Sequence, residues 1–102
     1  MKDKTIVDIV VAQDFIIDYD NAPPFIKKRM DSIINMTLKH GKLPKACRPH
    51  HSKGEKGEWI GYVNQSRGSW RFLFEELNGV LYLDRVITHT EMDDIFRDTH
   101  SL

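Results

Sequence analysis

Trp70-Arg-Phe-Leu-Phe-Glu-Glu-Leu-Asn-Gly-Val-Leu-Tyr-Leu-Asp-Arg-Val-Ile87 decides the fold. Asn78-Gly79 sits between two apolar runs. Both residues accept positive φ, as a two-residue type I′ turn requires, so the stretch predicts a β-hairpin of Trp70–Leu77 and Val80–Ile87. A two-residue loop sets Leu77 against Val80, Glu75 against Tyr82, Leu73 against Asp84 and Arg71 against Val86. Side chains alternate along a strand. Trp70, Phe72, Phe74, Leu81, Leu83, Arg85 and Ile87 then share a core face. Arg71, Glu75, Tyr82 and Asp84 share a more polar one, with Arg71 and Asp84 as diagonal neighbours.

Upstream, Trp59–Asn64 reads as a third antiparallel strand. Thr5–Val11 is β-branched and predicts a strand that joins the same sheet. Phe15, Ile16 and Tyr19 give Ala12–Asp20 a short helical face. Pro23 and Pro24 break it and suit the start of a long helix, Pro24–His40. There Ile26, Met30, Ile33, Ile34 and Thr37 form an apolar stripe. Gly41 ends it, and Lys39 and His40 complement its dipole. Lys42–Lys56 reads as a basic loop. Thr90–Asp98 reads as a short acidic helix, capped by Thr88 or Thr90, with Met92, Ile95 and Phe96 inward.

One hundred and two residues, 40% apolar and 29% charged, predict one soluble α+β domain, 1–102. It is an antiparallel sheet of about four strands, packed against two N-terminal helices and closed by a short C-terminal helix. One cysteine, Cys47, excludes a disulfide framework. The lack of a signal-peptide pattern or membrane-length apolar run predicts a cytoplasmic protein with no membrane partner. The net charge of zero hides an asymmetry. Residues 41–74 carry seven Lys/Arg against two Asp/Glu, and residues 75–102 carry two against seven. The basic middle segment, with His50 and His51, suits a phosphate partner. Cys47, His50 and His51 lack a second ligand pair and make a poor zinc pattern. Neither metal nor cofactor is expected.

Leu43-Pro44, His50 or His51 before Gly54, Gly61-Tyr62, Trp70-Arg-Phe-Leu-Phe74, Arg85-Val-Ile-Thr-His89 and Phe96 follow one another in a telling order. Together they resemble the RelE/ParE toxin superfamily of bacterial toxin–antitoxin pairs, closest to its YafQ-like ribonucleases. The pattern departs where that branch holds acidic residues and a histidine. Asn64, Ser66 and Ser69 stand there.

The resemblance implies a toxin that cleaves ribosome-bound mRNA without metal. Its partners would be a cognate antitoxin, mRNA and the ribosome, with operator DNA met only through the antitoxin complex. It places Arg71 and His89 as catalytic, with His50 or His51 as a second proton carrier. Such cleavage needs a base for the 2′-OH, an acid for the leaving 5′ oxygen and a cation for the phosphorane-like charge. Histidine titrates near neutrality, and arginine grips phosphate oxygens in two places. Lys45, Arg48, Lys53, Arg67 and Arg85 are candidate RNA-backbone contacts and Tyr82 a stacking platform. The rival expectation is a non-enzymatic binder on the same fold. That would be a ParE-like gyrase inhibitor, or a degenerate toxin kept for antitoxin binding and autoregulation.

Overall fold

The computed structural model describes residues 5–51, 58–64 and 69–100, with side chains through Ile95. Expectations resting on Lys53, Gly54, Ser66, Arg67 and the Phe96 side chain lie outside the described residues.

The elements run β1 (Asp8–Val11), α1 (Gln13–Asn21), α2 (Pro24–His40), a 3-10 turn (Lys45–Cys47), β2 (His50–His51), β3 (Trp59–Tyr62), β4 (Trp70–Leu77), β5 (Val80–Thr88) and α3 (His89–His100). They build one five-stranded sheet in the order β1-β5-β4-β3-β2. The class is the expected α+β, with two corrections. The sheet is mixed, because β1 pairs with β5 in parallel. Residues 12–79 lie between these two strands, and a connection of that length allows the parallel pairing that a tight hairpin does not. The fifth strand, β2, comes from the stretch expected to be loop. Two residues flanked by Pro49 are too few to show periodicity.

The hairpin turn has the expected form. Asn78 lies at φ 54° and Gly79 at φ 84°, and Leu77 faces Val80 and Glu75 faces Tyr82. The expected register holds through Phe74 and fails beyond it. Phe74 faces Leu83 but Leu73 faces Arg85, so Asp84 is an unpaired extra residue, a β-bulge. One inserted residue shifts the period-two alternation of the rest of β5. Arg71 therefore faces Ile87, not Val86, and Phe72 faces Val86.

The bulge gives the sheet two apolar faces. On one, α1 and α2 bring Phe15, Ile26, Met30 and Ile33 against Phe72, Phe74, Leu81, Leu83 and Val86, with Trp70 packed alongside. Phe72 has no exposed surface. Its ring lies so close to Gly61 that any side chain there would collide with it. On the other face Ile60, Leu73 and Ile87 pack beneath Met92 and Ile95 of α3. Val86 thus joins the core expected of Ile87, and Ile87 sits on the face expected to be polar. Each fully buried side chain of this size contributes about 1.5–3 kcal/mol.

Two polar contacts hold the helices in place. Tyr19 donates to Asp31 at 2.6 Å, tying α1 to α2. Asp18 of α1 accepts from Arg85 Nε at 2.6 Å, Arg85 Nη2 at 3.1 Å and the Val86 amide at 3.1 Å.

Candidate functional site

The α3 face of the sheet collects the chemistry. Register puts Tyr62 opposite Arg71, Ile60 opposite Leu73 and His50 opposite Ile60. His89, the first residue of α3, is tied to the same sheet end, where its amide donates to the Ser69 carbonyl at 2.9 Å. Tyr62 and Arg71 are level, His50 lies two positions to one side of them on β2 and His89 two positions to the other, past the end of β5, so the four run diagonally across the sheet. Neighbouring strands lie about 4.8 Å apart.

Arg71 is half-buried. Its guanidinium carbon sits 4.7 Å from the centre of the Tyr62 ring. Its Nε is buried and has no hydrogen-bond partner among the described residues. The anticipated neighbour Asp84 does not reach it. The bulge places Asp84 with Glu58 and Glu75, their carboxylate oxygens all within 4.8 Å of one another. Burial first, then the hydrogen bond and charge of Glu58, raises the Asp84 carboxyl from 3.8 to about 6. This acidic trio lies toward the other end of the face, two positions beyond Leu73.

The two histidines of β2 separate. His50 faces the Arg71 side, with its ring 5.6 Å from that of Tyr62. The Arg48 carbonyl accepts from His50 Nδ1 at 2.9 Å. A carbonyl only accepts, so in the neutral ring Nδ1 bears the proton and Nε2 keeps the lone pair. His51 lies on the opposite side, edge-on to Trp59 at 4.1 Å. Arg48, Pro49, His50 and Tyr62 line an open cleft.

His89 owes its position to a capping box. Thr88 Oγ1 accepts from the Glu91 amide at 3.1 Å, and Glu91 accepts from the Thr88 amide at 3.0 Å. Of the two expected caps, Thr88 is the one used. His89 Nε2 lies 3.4 Å from Asp93, and its Nδ1 is buried without a partner among the described residues.

The remaining candidates are scattered. Lys45 and Arg48 are exposed beside the cleft, in and just after the 3-10 turn. Arg85 is not the free cation expected for an RNA backbone, because Asp18 occupies its fork. Tyr82 pairs with Glu75, toward the acidic end of the face. Asn64 is built into the backbone: its side-chain oxygen accepts from the Trp70 amide at 2.7 Å. Ser69 is buried. Burial pushes the Cys47 thiol up to about 11, against a lowering by Arg29, which removes it as a nucleophile at neutral pH. Tyr62 was visible in the sequence only as half of Gly61-Tyr62, with no role attached. Its pairing with Arg71 was the missing signal.

No family model and no curated protein matches the chain. Solved structures do. RelE, in the RelB–RelE antitoxin–toxin complex from Methanococcus jannaschii, aligns with a TM-score of 0.70 at 20% identity, over 85% of this chain and 98% of that one. YafQ from E. coli strain BL21(DE3) aligns with 0.66 at 17% identity, over 83% and 96%. A chain of the E. coli DinJ–YafQ complex aligns with 0.58 at 22%, over 83% and 96%. At these identities the likeness is one of architecture, and it extends over nearly the whole of each neighbour. The chain has the RelE/YafQ-like toxin fold.

Proposed function

We propose that the protein is the toxin of a toxin–antitoxin pair and an endoribonuclease that cleaves ribosome-bound mRNA by acid–base chemistry. The observation that carries this reading is the diagonal His50–Tyr62–Arg71–His89, at whose centre a guanidinium keeps a buried N–H without an acceptor among the described residues. Buried donors are nearly always paired. A scissile phosphate would complete this one. Arg71 then holds the charge that develops on phosphorus. His50, with its lone pair on Nε2, accepts the proton of the 2′-OH as that oxygen attacks. His89, beside Asp93, protonates the departing 5′ oxygen. The products are a 2′,3′-cyclic phosphate and a 5′-hydroxyl. Lys45 and Arg48 contact the flanking backbone. Fold likeness to RelE and YafQ, solved with RelB and DinJ, supports an antitoxin as the resting partner.

One observation favours a non-enzymatic binder instead. Asn64, where the resemblance calls for an acid, is spent on the Trp70 amide. Induced expression separates the readings. The wild type should arrest growth and leave primer-extension stops within translated messages, and Arg71→Ala and His89→Ala should do neither. Arrest without new RNA ends, undiminished by those substitutions, would transfer the protein to the binder class.

A further inference from the structure

We infer that Tyr62 is the positioning residue of this site: its ring fixes Arg71 and His50 together while leaving their reactive nitrogens free. The inference rests on the ribonuclease reading for its consequence, and on the geometry for its content.

β3 lies between β2 and β4, and the Tyr62 ring touches a functional side chain from each neighbour. The Arg71 guanidinium carbon is 4.7 Å from the ring centre. The His50 ring is 5.6 Å away and tilted by 57°. An arginine can be held by a carboxylate or by an aromatic face. A carboxylate takes up the fork that phosphate needs, as Asp18 does with Arg85. An aromatic face attracts the cation through its quadrupole and consumes no N–H. The protein uses both devices on the same sheet, the first where the arginine ties elements together and the second where it sits at the site. Arg71 Nε, buried and without an acceptor among the described residues, is the donor kept in reserve. The same ring abuts His50, whose Nδ1 is already held by the Arg48 carbonyl. The neutral ring then keeps its lone pair on Nε2. Tyr62 cannot be replaced by its neighbours, because Gly61 faces the Phe72 ring on the opposite side.

The test compares wild type, Tyr62→Phe and Tyr62→Leu, the second keeping the ring and the third only apolar bulk. Inorganic phosphate is titrated while the Arg71 Nε–Hε resonance is followed by NMR. Turnover on RNA is measured in parallel. Phosphate should shift this resonance in the wild type. Tyr62→Leu should weaken phosphate binding roughly three- to tenfold, while Tyr62→Phe stays within about twofold of wild type. On RNA, Tyr62→Leu should lower kcat more than it raises KM, since a misplaced clamp fails chiefly in the transition state. Wild-type binding in Tyr62→Leu, equal loss in Tyr62→Phe, or no phosphate response of Arg71 in the wild type would each overturn the inference. A wild type that binds phosphate in the predicted order of variants yet cleaves no RNA would sink the ribonuclease reading and leave the positioning role standing.

Discussion

His50 and His51 are chain neighbours that serve opposite faces of the sheet. His50 meets Tyr62 and His51 meets Trp59. Their chemical fates should therefore part. Positioned proton transfer supplies on the order of 10²–10⁴-fold. His50→Ala should reduce cleavage by about that factor, and His51→Ala by less than about threefold. Rates for the two purified variants on one message check this, and equal losses would void the assignment by face. Nothing in the sequence could make this choice, because the two-residue strand that makes it lacks any periodic signature. The positions of Arg71 near the start of a strand and of His89 directly after the hairpin were legible, while their roles rest on the resemblance. Arg85 was misjudged because its partner Asp18 lies 67 residues away.

At the scale of elements, the β-bulge at Asp84 has the widest consequences. Asn78-Gly79 announces the turn through its conformational needs, so the hairpin and its first four pairs could be read directly. The bulge could not, because an inserted residue in a run already rich in apolar side chains leaves both phases plausible. Its result is an acidic trio with a pH signature. The folded protein holds the Asp84 proton up to about 6, against an ordinary 3.8. Stability from this group is therefore complete at low pH and lost as pH rises through that window. Asp84→Asn should raise Tm at about pH 7.5 and leave it nearly unchanged at about pH 4. A thermal melt at each pH decides it, and an equal gain at both would contradict the cause given for the shift. The α3 start carries a second expectation. Thr88→Ala removes the cap beside His89 and should cost about 0.5–2 kcal/mol. Denaturant unfolding measures the loss, and an unchanged midpoint would mean that Thr88 is not holding the helix.

At the scale of the molecule, α2 with its apolar stripe, the meander and the closing helix were all readable from period and punctuation. The parallel docking of β1 was not, since a four-residue strand gives no direction. The sheet presents α1 and α2 on one side and, on the other, α3 beside His50, Tyr62 and the half-buried Arg71. None of the described helices is long and apolar enough to cross a membrane. If the proposed toxin reading holds, an antitoxin should lie across His50, Tyr62 and Arg71. The product of a neighbouring gene, mixed at micromolar concentration, should form a complex and quench the phosphate response of Arg71. A complex that leaves that response intact would put the docking surface elsewhere.

The most direct measurement is of the RNA ends left on a message programmed into translating ribosomes with the purified protein. The account predicts new 3′ ends carrying a 2′,3′-cyclic phosphate, lost on the order of 10²-fold or more in Arg71→Ala while that variant keeps the wild-type melting curve. Intact message, or cleavage undiminished by Arg71→Ala, would contradict it.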